Sequence, residues 1–409
     1  MLSRCISVDR ATFGRENWGR LPLLSSSESL PRGFDDLLSE SDVDELIARR
    51  GLRTPFIRMA RDGGLVGREC YTGPAGFGAE MPDQVDSAQV LAQFAAGATI
   101  VLQGLHRLWP PVIDFVRGMV DDLGHPVQAN AYVTPAGNRG FDPHYDVHDV
   151  FILQTAGHKR WTVHEPVYRD PLVSQPWTDH RAAIEARVGD DPVIDTVLAP
   201  GDALYLPRGW IHSALAQGDT SIHLTIGVAA TTVGDVVRAV VDELAGVEEF
   251  RSSLPMAIDL TDRDETEAMA TKAMAALVAV LRDRSTELGD ATTARLRARF
   301  AEQTRPAAVW PLRTAAVIDD LDATVAVRWR HGLVGTVRRA ADRVELRLRD
   351  RTISFPGYCA DALNAVAHRE IVSAGALPGL DAADGMVLIR RLLREAVVVP
   401  AEMSTGSPA

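Results

Sequence analysis

Between residues 128 and 232, short runs rich in Val, Ile, Thr, Tyr and Phe follow one another with only Gly, Pro and Asp punctuation: QANAYVTP, DVFILQ, KRWTV, DTVLAP, DALYLP, HSALA and SIHLTIGVAA. β-Branched and aromatic runs bounded by turn residues read as strands. A doubly wound sheet would need helices between them, and none is encoded here. The pattern therefore predicts a mainly β core, a β-sandwich or jelly-roll barrel.

Within that core the segment Asn130 to Trp161, NAYVTPAGNRGFDPHYDVHDVFILQTAGHKRW, carries His144-Tyr145-Asp146. In an extended strand, side chains two apart share a face, so His144 and Asp146 point the same way. His212 follows 66 positions after Asp146, just past the turn Pro207-Arg208-Gly209 in GDALYLPRGWIHSALA. Distant strands of a barrel face one another across one pocket. Two histidines and one carboxylate with open positions are the facial triad of a non-haem Fe(II) oxygenase. A bidentate keto acid and O2 would fill those open positions. A keto acid with a distal carboxylate also needs a buried cation, and Lys159 is the candidate. It is expected to follow a turn at Thr155 to Gly157 and to open the strand KRWTV. There it is in phase with Trp161 and Val163, which turns it inward, where it needs a partner. The alternative is that it snorkels outward beside Arg160. His148 shares the phase of His144 and Asp146, but one strand rarely gives a metal three successive ligands; it reads as a substrate contact or a surface histidine. His223 reads as structural, and His158, His164 and His180 as solvated.

The flanks differ. Residues 1–50 read as helix and loop, with a helix near Val43, Leu46 and Ile47 capped by Ser41. A helix capped by Ser87 and stopped at Gly97 precedes the strand TIVLQGL, and WPPVIDFVRGMVDDLG is a helix with prolines in its first turn. Residues 233–305 are helical. The stretch Thr266 to Leu281 is too apolar all round to stand alone in water, so it packs on the barrel or forms a homodimer contact, and the latter is favoured. Residues 306–400 combine helices with a β-hairpin turning at Arg349-Asp350-Arg351, a winged-helix-like unit, and 401–409 is a tail. The catalytic unit is then 1–232, with its core at 98–232.

Arg328, Arg330, Arg338, Arg339, Arg347, Arg349 and Arg351 allow a DNA-binding reading of the last unit, but alternating arginines on hairpin strands also make an ordinary solvated face. The net charge of −12 over 409 residues argues against general nucleic-acid binding and suits a basic partner. Three cysteines, far apart and without a CxxC pair, exclude a disulfide framework or a cysteine zinc site and fit a reducing cytoplasm. The opening MLSRCISVDRATFGRENWG lacks the apolar run of a signal peptide, and no stretch has the length of a membrane span.

The motifs NAYVTP, HYDVHDVFILQ, AGHKRW and GDALYLPRGWIH resemble those of the JmjC-type ribosomal oxygenases, Fe(II)- and 2-oxoglutarate-dependent protein hydroxylases of the cupin superfamily. The resemblance implies a double-stranded β-helix with an α/β lead-in, a helical dimerisation region and a C-terminal winged-helix domain. It implies that His144, Asp146 and His212 hold iron, that Lys159 binds the distal carboxylate of 2-oxoglutarate, and that Asn130 and Thr225 line the cosubstrate pocket. This chain has Gly227 where relatives often carry a serine. The implied reaction is hydroxylation of an arginine or histidine side chain of a basic ribosomal protein, with succinate and CO2 released. Two other functions also fit the sequence. One is a 2-oxoglutarate oxygenase that tailors a small peptide or metabolite. The other is a non-catalytic cupin/winged-helix regulator on DNA, against which the intact triad, Lys159 and the acidic charge argue.

Overall fold

In a computed structural model of the chain, which describes residues 1–401 except 62, 79, 140, 369 and 370, the apolar runs assemble into a nine-stranded antiparallel sheet. Its order runs Leu23–Ser25, Ala203–Leu206, Asp149–His164, Ile211–Val228, Val127–Thr134, Thr99–Leu102, Ile57–Arg61 and a short edge at Gly64–Leu65. Ile194–Leu198 pairs beside Asp149–His164. The expected tail at 401–409 falls almost wholly outside the described residues.

Two strands are longer than the sequence suggested. DVFILQ and KRWTV form one strand, Asp149–His164, and HSALA and SIHLTIGV form another, Ile211–Val228. The expected turn at Thr155 to Gly157 is a bend inside a strand. Gly157 has φ +60°, and the register against Ile211–Val228 shifts between Gln217 and Ile222. A β-irregularity re-aims a long strand without ending it, so each strand serves both halves of the fold. The result is the mainly β, double-stranded β-helix.

Alternation then divides the faces. Ala129, Ala131 and Val133 point outward into a core built with Phe13, Phe34, Leu38, Phe115 and Met119 of the N-terminal segments. Val150, Ile152, Trp161, Val163, Leu198 and Leu204 form a second cluster. The helices around the sheet follow their sequence signals, with two shifts. Helix Glu40–Arg49 is capped by Ser39 in a reciprocal box with Asp42, not by Ser41. Helix Ser87–Ala95 is capped by Asp86, whose carboxylate accepts from the backbone N–H of Ala88 and Gln89. Helix Pro110–Leu123 starts on its two prolines and ends at Gly124, φ +69°.

The chain divides into two compact units, Met1–Ala230 and the residues from Thr231 on. In the second unit, helix Val233–Glu243 is joined to helix Ser285–Thr304 by Arg295–Glu243 and Arg299–Asp235 ion pairs. Between these two in sequence, helix Arg263–Asp283 has no buried residue; Met274 and Val278 stand more than half exposed. The arginine-rich segment is four strands rather than one hairpin: Ala326–Trp329 pairs with Val372–Ser373 and Val398–Pro400, and Gly335–Ala340, Arg343–Leu348 and Thr352–Pro356 form a separate meander. In that meander Arg343–Leu348 is the central strand, paired with both of the others. The segment's arginines are largely engaged with acids: Arg339 with Asp361, Arg347 with Glu345, Arg349 with Glu302, Arg351 with Asp350 and Glu395. All three cysteines are free. Among the described residues no helix is long and apolar enough to cross a membrane.

Candidate metal centre and its cavity

His144 and Asp146 lie in the loop leading into the Asp149–His164 strand, not within a strand as the i, i+2 spacing suggested. The loop is pinned instead by one isolated bridge. The His144 N–H donates to the His212 carbonyl (3.2 Å) and the His212 N–H to the His144 carbonyl (2.8 Å). His212 opens the neighbouring Ile211–Val228 strand, so this bridge is what brings the two sequence motifs together.

Ligand atoms of His144, Asp146 and His212 all lie within 4.8 Å of one another. The two imidazole centroids are 4.6 Å apart, and His212 Nε2 is 3.8 Å from Asp146 Oδ2. His144 Nδ1 lies 2.7 Å from the Asp142 carbonyl and His212 Nδ1 3.0 Å from the Trp210 carbonyl. Each Nδ1–H donating there leaves both Nε2 lone pairs free, the arrangement by which second contacts orient metal-binding histidines. Burial, with His144 nearby, pulls His212 down to about 4, which keeps it neutral. Burial pushes the Asp146 carboxyl up, but His148, His212, His144 and Arg58 around it prevail and hold it below the ordinary range. Two imidazoles and one carboxylate are the donor set a divalent first-row metal takes. The residues therefore fit Fe(II).

Deeper in the barrel, Lys159 is 3 % exposed, whereas Arg160 beside it is exposed and paired with Asp195. The Lys159 ammonium donates to Thr134 Oγ1 at 3.0 Å and stands 6.0 Å from the Trp161 ring. Among the described residues no carboxylate pairs with it, and burial lowers its pKa from the usual value to about 7. A buried cation without a counter-ion is costly unless an anion joins it.

The inner face of the barrel is a ladder of cross-strand pairs: Tyr132 opposite His223, Asn130 opposite Thr225, Gln128 opposite Gly227. Tyr132 and His223 are stacked, with centroids 5.0 Å apart and an interplanar angle of 2°. His223 is buried, with its Nδ1 unpartnered. A cavity of about 370 Å³ opens beside this ladder, with Asp146, Arg58, Gln103, His148, Asn130 and Thr225 in its wall. Asn130 Oδ1 accepts from the Gly104 N–H at 3.0 Å.

Several residues of this wall carry no signal in sequence reasoning. Arg58 comes from the early Ile57–Arg61 strand. It acts on the Asp146 charge, lies 5.6 Å over the Phe141 ring and lowers the Tyr132 hydroxyl's pKa against the stronger effect of burial. Phe141 and Trp177 each stand 6.1 Å from the His144 ring. Tyr132 was findable, since it shares the phase of Asn130. Of the histidines expected to be solvated, His158 is exposed. His164 is buried at 4 % with Nδ1 unpartnered, and His180 stacks on Tyr168 at 4.7 Å. His164 was misplaced because the strand runs through to it.

A double-stranded β-helix with two histidines and one carboxylate at its mouth defines a JmjC-type barrel. A sequence model of the JmjC domain matches residues 113–236. Ribosomal oxygenase 1 of Rattus norvegicus is 36% identical over 181 residues, 42% of this chain and 30% of that protein. The bifunctional lysine-specific demethylase and histidyl-hydroxylase NO66 of Drosophila persimilis is 44% identical over 226 residues, 53% of this chain and 29% of that protein. The chain thus spans under a third of the length of these two relatives. Among solved structures, the Escherichia coli ribosomal oxygenase YcfD matches with TM-score 0.55 and 17% identity, covering 97% of this chain and 99% of that one. A structure of YcfD in complex with cobalt and 2-oxoglutarate matches at 0.53. The chain thus matches the JmjC domain over residues 113–236 and is similar in sequence to ribosomal oxygenases and in fold to YcfD.

Proposed function

We propose that the chain is an Fe(II)- and 2-oxoglutarate-dependent oxygenase that hydroxylates a side chain of a ribosomal protein. The observation that carries this reading is one barrel interior holding both groups the reaction needs. A His144, Asp146, His212 cluster sits within 4.8 Å, and a buried Lys159 lies deeper with no counter-ion among the described residues. His144, Asp146 and His212 would hold the metal, which supplies the O2 chemistry of the reaction. Lys159 and Thr134 bind the distal carboxylate of 2-oxoglutarate, and the carboxylate completes the lysine's charge pairing. Asn130 and Thr225, facing each other across two strands, line the same pocket. Overall, 2-oxoglutarate, O2 and R–H become succinate, CO2 and R–OH. Phe141, Trp177 and Trp161 ring the triad and keep bulk water from the reacting atoms.

Between arginine and histidine as the modified residue, the cavity favours histidine. Arg58 and Arg107 both line it, and a guanidinium would enter against like charge, whereas a neutral imidazole would not. The Drosophila relative is named a histidyl-hydroxylase. The acidic chain suits a basic ribosomal protein. Arg339, Arg347, Arg349 and Arg351 face acids of the same unit, which weighs against a DNA-binding role. The exposed apolar side chains of helix Arg263–Asp283 support a homodimer contact there.

The test is mass spectrometry of an unmodified ribosomal protein fraction treated with the purified chain, Fe(II), 2-oxoglutarate and air. The expected result is the gain of one oxygen on a histidine-containing peptide. No such gain, or the same gain with His144→Ala, would refute the proposal.

A further inference from the structure

Gly227 is a glycine for reasons of space. Its φ is not in the left-handed region, so its backbone suits any residue. A Cβ placed there would stand 2.5 Å from His148 Cδ2 and 2.7 Å from His148 Nε2, and 3.2 Å from Gln128 Nε2. The imidazole of His148 therefore lies directly against the bare strand. On the inner face of Ile211–Val228 the positions His223, Thr225 and Gly227 form successive levels from the Lys159 end outward. His148 thus closes the outermost level, opposite Gln128, and forms part of the cavity wall beside Asp146. Among the described residues no hydrogen bond uses its ring nitrogens. The nearby Arg58 Nε is likewise unpartnered. Polar groups left uncommitted in a concave wall are what a polar ligand satisfies.

We propose that His148, seated on Gly227, is a substrate-contacting, specificity-determining residue that hydrogen-bonds the planar polar side chain presented to the metal centre. This rests on the reading of the site as a 2-oxoglutarate oxygenase. An imidazole carries two ring nitrogens that can hydrogen-bond a planar polar side chain, an incoming histidine among them. Any side chain at position 227 would evict the ring and remove the contact, so the two positions act as one element.

The test uses the full chain loaded with Mn(II) and 2-oxoglutarate under nitrogen, with N-acetyl-histidine methylamide as probe. The readout is paramagnetic broadening of ligand protons in NMR spectra. The wild type is expected to broaden both the 2-oxoglutarate methylenes and the probe's imidazole protons. His148→Ala is expected to cut the probe's broadening roughly fivefold or more, the weight of one net hydrogen bond, with 2-oxoglutarate unaffected. Gly227→Ala, which keeps the imidazole but displaces it, should act the same way. Unchanged probe broadening in His148→Ala, or none in the wild type while 2-oxoglutarate is broadened, overturns the proposal. Absence of 2-oxoglutarate broadening in the wild type overturns the underlying reading of the site and the proposal with it.

Discussion

His144 and His212 are bound to each other through their backbones. Each donates its N–H to the other's carbonyl, at 3.2 and 2.8 Å, and the bridge holds their rings 4.6 Å apart. The relative placement of the two histidines is thus held by main-chain bonds that no side-chain substitution removes. His212→Ala is expected to leave the fold intact while abolishing tight metal binding. Circular dichroism should be unchanged, while Fe(II) or Co(II) titration should show affinity lower by at least about a hundredfold. A substituted protein that binds metal as the wild type does would contradict the assignment.

Lys159 offers the one ammonium deep in the barrel, bonded to Thr134 Oγ1. Replacing a buried partner of a charged ligand group costs about 2–5 kcal/mol. Lys159→Ala should therefore raise the 2-oxoglutarate KM at least about thirtyfold. Metal affinity should stay within a factor of about two. Steady-state kinetics alongside a metal titration separates the two effects.

The same lysine makes a pH prediction. Its pKa is lowered to about 7 by burial, against 10.5 for the ordinary group. Between those values the unfolded chain holds the proton and the folded protein does not. This group's contribution to stability therefore rises with pH from about 7 and levels off above 10.5. Binding the dicarboxylate favours the protonated form, so 2-oxoglutarate affinity should fall as pH rises above about 7, with proton uptake on binding. Calorimetry in buffers of different ionisation enthalpy measures that uptake. Lys159→Met should abolish it.

Gly157 sits at φ +60°, and a Cβ there would lie 2.1 Å from the Thr220 carbonyl oxygen. Backbone strain and overlap with a rigid carbonyl together predict a loss of about 3 kcal/mol or more for Gly157→Ala, read from the denaturation midpoint. Gly137, also at positive φ but with open space around it, should lose clearly less on the same change.

Met274 and Val278 lie one turn apart on helix Arg263–Asp283, more than half exposed. If they form the homodimer contact, sedimentation should give twice the chain mass. Met274→Asp with Val278→Asp should return it to the monomer mass with the triad's metal affinity unchanged.

Much of the site was legible because its chemistry is carried by residue types at short spacing. His144 and Asp146 mark each other, and His212 is flagged by the turn before it. The phase of Lys159 with Trp161 and Val163 left an inward and an outward direction open, and its burial in the structure selects the inward one. What was not legible came from distance or from local ambiguity. Arg58 reaches Asp146 from a strand more than eighty residues upstream, and nothing in IRMAR announces it. Gly157 looks like a turn residue, yet it bends a strand that continues, so two long strands read as four and His164 was placed in solvent. Two serines near Val43 could each cap a helix. Only the reciprocal bond with Asp42 selects Ser39. His148 was in view but undirected, since its role depends on the missing side chain at Gly227.

The most direct test of the whole account is succinate formation from 2-oxoglutarate by the purified chain. Fe(II) is added under nitrogen, O2 is then admitted, and His144→Ala, Asp146→Ala and His212→Ala are run in parallel. O2-dependent succinate is expected from the wild type and only background from each variant. Equal succinate from the wild type and the triad variants would contradict the account.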